Sequence, residues 1–191
     1  IEELTIAVPA LPSTLDPGDR SNATIAMYRI FMNMYDTLLR VDYKNNTGVQ
    51  PGLAESWKQI DDTTLELYLR KGVKFHDGTD FTADDVVASF GPRRGLSADS
   101  IMGKDKNFPS FKAVQKIDDY TVRIITKKPD PTMKQILSLS PYSIISGKGF
   151  NSTDFKQWQF KPVATGPYKI VEFVDAEHLI LERNENYWGG K

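Results

Sequence analysis

Residues 51–90 read PGLAESWKQIDDTTLELYLRKGVKFHDGTDFTADDVVASF, and their succession of alternation, turns and helix start decides the fold. From Thr64 to Arg70, Leu65, Leu67 and Leu69 alternate with Glu66, Tyr68 and Arg70, the period of a strand with one buried face. Asp61-Asp62 before this strand and Lys71-Gly72 after it are turn composition, which predicts a hairpin running from Trp57 to Phe75. His76-Asp77-Gly78 closes a second turn, in which glycine tolerates a positive φ. Thr82 can cap a helix that opens at Ala83, and Asp85, three residues on, is an acidic relative of the capping box. Val86, Val87 and Phe90 are the inward residues of that helix.

Working outward, Leu4 to Val8 is expected to be a short buried strand ending at Pro9, followed by a turn-rich loop to Asp19. Apolar residues at Ile25, Met27, Ile30, Phe31, Met34, Tyr35 and Leu38 predict one amphipathic helix from Asn22 or Thr24 to Leu39. Phe111 to Ile117 and Thr121 to Thr126 form a strand pair around Asp118-Asp119-Tyr120. A short helix ends at Leu139, and another short strand follows the Ser140 to Ser143 loop. Gly147 to Trp158 is irregular or weakly helical, and Tyr168 to Phe173 with Leu179 to Arg183 makes a second hairpin.

Composition bounds the function. The chain has 191 residues, enough for one large domain or two small ones, and a net charge of −1 with interspersed signs, which argues against nucleic-acid and acidic-membrane footprints. With no cysteine there is no disulfide, Cys-based zinc site or thiol nucleophile. No apolar run reaches transmembrane length, and the start at Ile1 without a leader implies that an exported protein has lost its signal peptide.

Ala54, Ser56, Trp57, the Leu65 to Arg70 strand, Lys74-Phe75-His76-Asp77-Gly78 and Thr82-Ala83-Asp84-Asp85-Val86 together resemble the signature region of family 5 extracytoplasmic solute-binding proteins, the oligopeptide, dipeptide and nickel-type substrate-binding components of ABC importers. Ala164-Thr165-Gly166-Pro167-Tyr168 with Leu181 to Gly190 is similar to that family's second recurrent block. Leu15-Asp16-Pro17 and Tyr35-Asp36-Thr37-Leu38 fit its N-terminal block. The resemblance implies an α/β fold, periplasmic binding protein-like (type II, large cluster): the first lobe of two, with a mixed sheet and an inserted α/β subdomain. Residues 1–40 and 161–191 would build the core of lobe 1 and residues 41–160 the inserted subdomain, with the second lobe absent, so the chain is expected to be a fragment or a naturally short relative. A sheet that lacks strands from elsewhere leaves exposed edges that invite pairing with another copy.

The same resemblance puts Arg20, Ser21, Asn22, Ala23 and Thr24 at the ligand cleft, where an extended peptide could pair as an added strand. Loops at Phe90 to Ile101 and Ser138 to Ser143 would reach it from the inserted subdomain. Arg93 and Arg94 follow a helix-breaking Gly-Pro and offer planar forks for an anionic group, or are solvated arginines pairing with Asp99. Tyr142 could stack on a ligand or be a packing residue, and Arg20 could instead pair with Asp16 or Asp19. His76 and His178 are far apart, and the paired carboxylates at residues 61–62, 84–85 and 118–119 sit at turns or a helix start. No catalytic residue, metal site or cofactor is expected.

The expected function is therefore that of a non-enzymatic, periplasmic substrate-binding component of an ABC importer, a lipid anchor left open. It would capture a peptide or similar small solute and deliver it to the permease's transmembrane subunits. Nucleic acid and direct membrane insertion are not expected. The alternative is a stand-alone lobe acting as a protein-interaction or sensory module.

Overall fold

A computed structural model describes residues 4–19, 25–44, 48–91, 108–152 and 154–190. The quoted stretch folds as its pattern predicts. Strand β3 (Ala54–Asp61) and strand β4 (Thr64–Leu69) form an antiparallel hairpin, and Leu65, Leu67 and Leu69 are buried. Its turn is fixed by Asp61, whose Oδ1 accepts the Thr63 backbone N–H at 2.8 Å and the Thr63 hydroxyl at 2.9 Å. The same device recurs where β5 (Phe111–Asp118) meets β6 (Thr121–Thr126), with Asp118 accepting the Tyr120 N–H at 2.8 Å. A four-stranded antiparallel sheet results, in the order β3-β4-β6-β5.

Gly78 has φ of +84°, and Asp77 accepts the Thr79 N–H at 3.0 Å, so the second turn also forms as expected. Helix α2 (Ala83–Ser89) then lies across the sheet, burying Val86 and Phe90 while Val87 is only half buried. Asp85 serves both ends of a junction: Oδ2 accepts the Thr82 N–H at 2.9 Å and Oδ1 accepts the Gly147 N–H at 2.8 Å. Burial raises the Asp85 pKa above its ordinary value, against those two donors.

The remaining elements are helix α1 (Ile25–Met34), the paired strands β1 (Leu39–Asp42) and β2 (Gly48–Pro51), α3 (Met133–Ile136), a 3-10 turn at Ser140–Tyr142, α4 (Gly147–Ser152), α5 (Phe155–Trp158) and the hairpin β7 (Tyr168–Val174) with β8 (His178–Arg183). Every ladder between these strands is antiparallel, so the parallel member of the expected mixed sheet is not among the described residues. Two apolar cores form. One gathers the four-stranded sheet, α2, α3 and the 3-10 turn; the other gathers Leu15, Phe31, Met34, Tyr35, Phe150 and Trp158, with Ile170, Phe173, Leu179 and Leu181 of the hairpin packed against it.

Three expectations are corrected. The first helix ends at Met34 instead of Leu39, because residues 34–39 spend their backbone groups on the rest of the chain. Gly166 N donates to Met34 O, Ile144 N to Asp36 O, Leu53 N to Thr37 O and Ala54 N to Leu38 O, all between 2.9 and 3.0 Å. This extended spine is approached so closely that a Cβ on Gly166 would lie 2.3 Å from Met34 C, and one on Gly52 2.5 Å from Thr37 O. The strand expected at Leu4 to Val8 does not form, since no described strand pairs with it, and Leu4 and Ile6 are 73% and 71% exposed. Residues 144–146 are buried, but their polar groups bond Asp36, Ser89 and Val163 one at a time instead of building a strand.

Candidate functional site

Arg20, Ser21, Asn22, Ala23, Thr24, Arg93 and Arg94 lie outside the described residues. Tyr142 is described, and it is a core residue here. The side chain is 1% exposed; its ring stacks on Phe90 with centroids 6.3 Å apart and meets Phe108 edge-on at 5.8 Å. Phe111 completes the group, 5.9 Å from Phe90 and 5.4 Å from Phe108. A tyrosine held on several sides by aromatic rings has no face left for a solute, which corrects its reading as a ligand-stacking residue in this conformation.

The aromatic group nonetheless organises the region where the site was expected. Phe90 and Phe108 flank residues 92–107, and Tyr142 belongs to the turn within the Ser138 to Ser143 loop, so the bases of two expected ligand loops are packed together. That turn in turn lies beside α1, whose first residue, Ile25, follows the third expected loop.

A polar centre that sequence reasoning did not single out gathers around Asp36. Asp36, 4% exposed on the spine, accepts four hydrogen bonds. Oδ1 takes Arg40 Nη2 at 2.6 Å and Tyr187 Oη at 3.1 Å; Oδ2 takes Trp188 Nε1 at 2.8 Å and Thr165 Oγ1 at 3.0 Å. All acceptor positions of the carboxylate are filled, which leaves it nothing to offer a ligand. Arg40 also donates to Tyr187 Oη, and its guanidinium and that of Arg70 each lie 4.6 Å from the Trp188 ring centroid, within cation–π range.

Electrostatics agree with a structural clamp. Burial pushes the Tyr187 hydroxyl up to about 12, helped by the Asp36 charge. Burial works against the Arg40 charge, yet Asp36 and Tyr187 outweigh it and the pKa is raised. His76 donates Nε2–H to the Gly166 carbonyl at 3.0 Å, the oxygen that Asn184 Nδ2 also reaches at 3.0 Å, and burial lowers its pKa. The His76 hydrogen bond holds the Gly166 turn against the spine. The partners of Asp36 lie up to 152 positions away, so no local pattern could have revealed the network.

Among the described residues no group of three or more His, Cys, Asp or Glu side chains could hold a metal, and no helix is long and apolar enough to cross a membrane. The open hollow between α2 and α4, lined by Thr82, Asp84, Asp85, Lys148 and Asn151, contains the Asp85 carboxylate whose oxygens are already bonded.

Residues 48–191 match the family model described as bacterial extracellular solute-binding proteins, family 5 Middle. Heme-binding protein A of Haemophilus influenzae is 35% identical over 168 residues, which cover 78% of this chain and 31% of that protein. The oligopeptide-binding protein AppA of Bacillus subtilis is 32% identical over 171 residues, 83% of this chain and 30% of AppA. Among solved structures, the ABC transporter-associated periplasmic binding protein DppA from Helicobacter pylori, in complex with the peptide STSA, superimposes with a TM-score of 0.81 at 30% identity, over 95% of this chain and 39% of that one. The chain thus spans about a third of the length of these relatives.

Proposed function

Since the chain belongs to the bacterial extracellular solute-binding proteins of family 5, we propose that it is part of the substrate-binding component of an ABC importer, which captures a peptide or similar small solute in the periplasm and passes it to the membrane permease. The observation that carries this reading is the superposition, over 95% of the chain, on a peptide-bound periplasmic binding protein. Relatives named for heme and oligopeptides keep the solute class broad within that role. Capture requires no chemical step, in keeping with a polar centre whose carboxylate is fully occupied by structural donors.

In this reading residues 1–40 and 161–191 form the core of a ligand-binding lobe and residues 41–160 its inserted subdomain. Arg20 to Thr24 offers backbone groups to the solute, and Arg93 or Arg94 receives an anionic group. Tight capture needs a second wall: a solute covered from one side loses much of the buried area and fixed polar contact that make such pockets strong. The 191-residue chain alone is therefore expected to bind weakly.

The test is native mass spectrometry of the protein isolated gently from its own host. A small molecule of defined mass leaving on denaturation supports capture and names the ligand class. An empty protein that gains no thermal stability from peptides, opines or metal chelates refutes it.

A further inference from the structure

The two apolar cores divide the chain between them. Among the described residues, every buried member of the first lies between Leu38 and Ile144, and every one of the second lies before or after that span. Ile144 and Ile145 are neighbours in sequence, yet Ile144 belongs to the first core and Ile145 to the second. Residues 144–147 therefore run along the boundary. Their backbone is bonded from several sides, Ile144 N donating to Asp36 O at 2.9 Å and Ser146 N to Val163 O at 3.2 Å.

Helix α2, whose Ala83, Val86 and Phe90 belong to the first core, grips this segment with one stripe of residues. Asp85 and Ser89 lie one turn apart on that stripe. Ser89 Oγ accepts the Ile145 N–H at 3.0 Å and donates to Asp85 O at 2.7 Å, while Asp85 Oδ1 accepts the Gly147 N–H at 2.8 Å. Between them sits Ala88, so close that a Cβ on Gly147 would stand 2.8 Å from the Ala88 Cβ. Capping α2 accounts for only part of this arrangement. The Thr82 N–H on Asp85 Oδ2 completes the cap, whereas Oδ1 and the Ser89 hydroxyl are spent on the boundary segment. Two backbone donors from distant parts of the chain meet at a buried place, and a carboxylate gives each an oxygen of its own.

Each side of this seam continues into a stretch that, in the capture reading, meets the solute. Helix α2 leads to residues 92–107, which include Arg93 and Arg94, and α1, whose Met27, Phe31 and Met34 belong to the second core, follows residues 20–24. The angle between α2 and the second core thus governs how far apart the two stretches start. We propose that Asp85, assisted by Ser89, is a positioning residue for solute capture, holding residues 145–147 against α2 so that both stretches meet the same solute. The role rests on the capture reading, and every group that builds the seam lies within the described residues.

The chain has no cysteine, so a spin-label pair can be placed at Arg29→Cys on α1 and Gln115→Cys on β5, both exposed and on elements of different cores. Double electron–electron resonance then reads the distance across the seam. Asp85→Asn, whose amide has one acceptor oxygen for two donors, and Ser89→Ala, which leaves the α2 cap intact, should each shift or broaden that distance by about 1 Å or more. Lys116→Met, which breaks the 2.8 Å ion pair to Asp84 on the sheet side of α2, should leave it unchanged. In the full-length protein isolated from its host, native mass spectrometry should show the co-purified solute leaving either seam variant about tenfold faster on dilution. Wild-type distances in both seam variants, or an equal shift in Lys116→Met, would overturn the seam. Wild-type solute lifetimes in both would overturn the positioning role, whether or not the distance moves. A wild-type protein that arrives empty instead refutes the capture reading, and with it the role built on that reading.

Discussion

Replacing Asp36 by asparagine tests whether the spine is held by a charge or merely by shape. The amide keeps the size of the carboxylate but offers two donors where one oxygen stood. With the nitrogen on the Oδ2 side, Trp188 Nε1–H loses its acceptor; with it on the Oδ1 side, it faces Arg40 Nη2, now 2.6 Å from an acceptor. Thr165 can turn its hydroxyl to accept, whereas indole and guanidinium only donate. An orphaned buried donor costs roughly 1–3 kcal/mol, and removing one partner of a fully buried ion pair about 3–5 kcal/mol. The Arg40 side chain is 37% exposed, so water offsets part of the second effect, and the expected loss is about 2–4 kcal/mol. In urea this lowers the unfolding midpoint by roughly 1–2 M. Trp188→Phe removes the stranded N–H, so the double variant should lose at least about 1 kcal/mol less than the sum of the singles. Asp36→Asn unfolding within about 0.5 kcal/mol of wild type, or strict additivity with Trp188→Phe, would refute the account.

Other perturbations read different parts of the same design. Gly166→Ala forces a methyl to within 2.4 Å of the Met34 carbonyl oxygen, which should cost about 3 kcal/mol or more in denaturant melts and expel the Gly166 turn from the spine. His76 has a folded pKa below its ordinary 6.5, so the unfolded chain takes up the proton first. Its stabilising contribution is full above pH 6.5 and is lost as the pH falls through the folded value. Midpoints measured between about pH 5 and 7 should therefore slope downward on acidification, and His76→Gln should flatten that slope. Ala176 holds φ of +58° in the β7–β8 turn, so Ala176→Gly should raise stability by about 0.5–1 kcal/mol, and a loss on thermal unfolding would show that the turn is not strained.

How much of this architecture can be read from the sequence depends on how far apart the interacting groups lie. The Asp61 and Asp118 turns, the Asp85 reach back to Thr82 and the alternation of Leu65, Leu67 and Leu69 each involve residues within a few positions, and all were legible. The end of α1 was not. Apolar spacing continues unbroken through Tyr35 and Leu38, and only the distant partners Gly166, Ile144 and Leu53 show that these backbone groups leave the helix. Asp36 beside Thr37 was a faint clue, because both residues are mediocre in a helix interior.

The sequence left Tyr142 between a ligand contact and a packing residue for the same reason, seen from the opposite side. A tyrosine after a proline in a polar loop has the chemistry of a ligand contact, and nothing near it in sequence shows that Phe90, Phe108 and Phe111 enclose its ring. What surrounds it makes functional sense all the same. Solute-facing loops must present backbone groups in fixed places, yet loops have few contacts of their own with which to stay put. Under the proposed function, the aromatic core formed by Phe90, Phe108 and Tyr142 and the saturated Asp36 carboxylate are supports that fix neighbouring backbone without touching the solute. Loosening either support should therefore weaken solute binding even though no contact to the solute is removed. Phe108→Ala is the variant that separates support from contact. Its exchange of amide hydrogen should rise in the Ser138 to Ser143 loop, whereas a ring acting only on its own packing would leave that loop as protected as before.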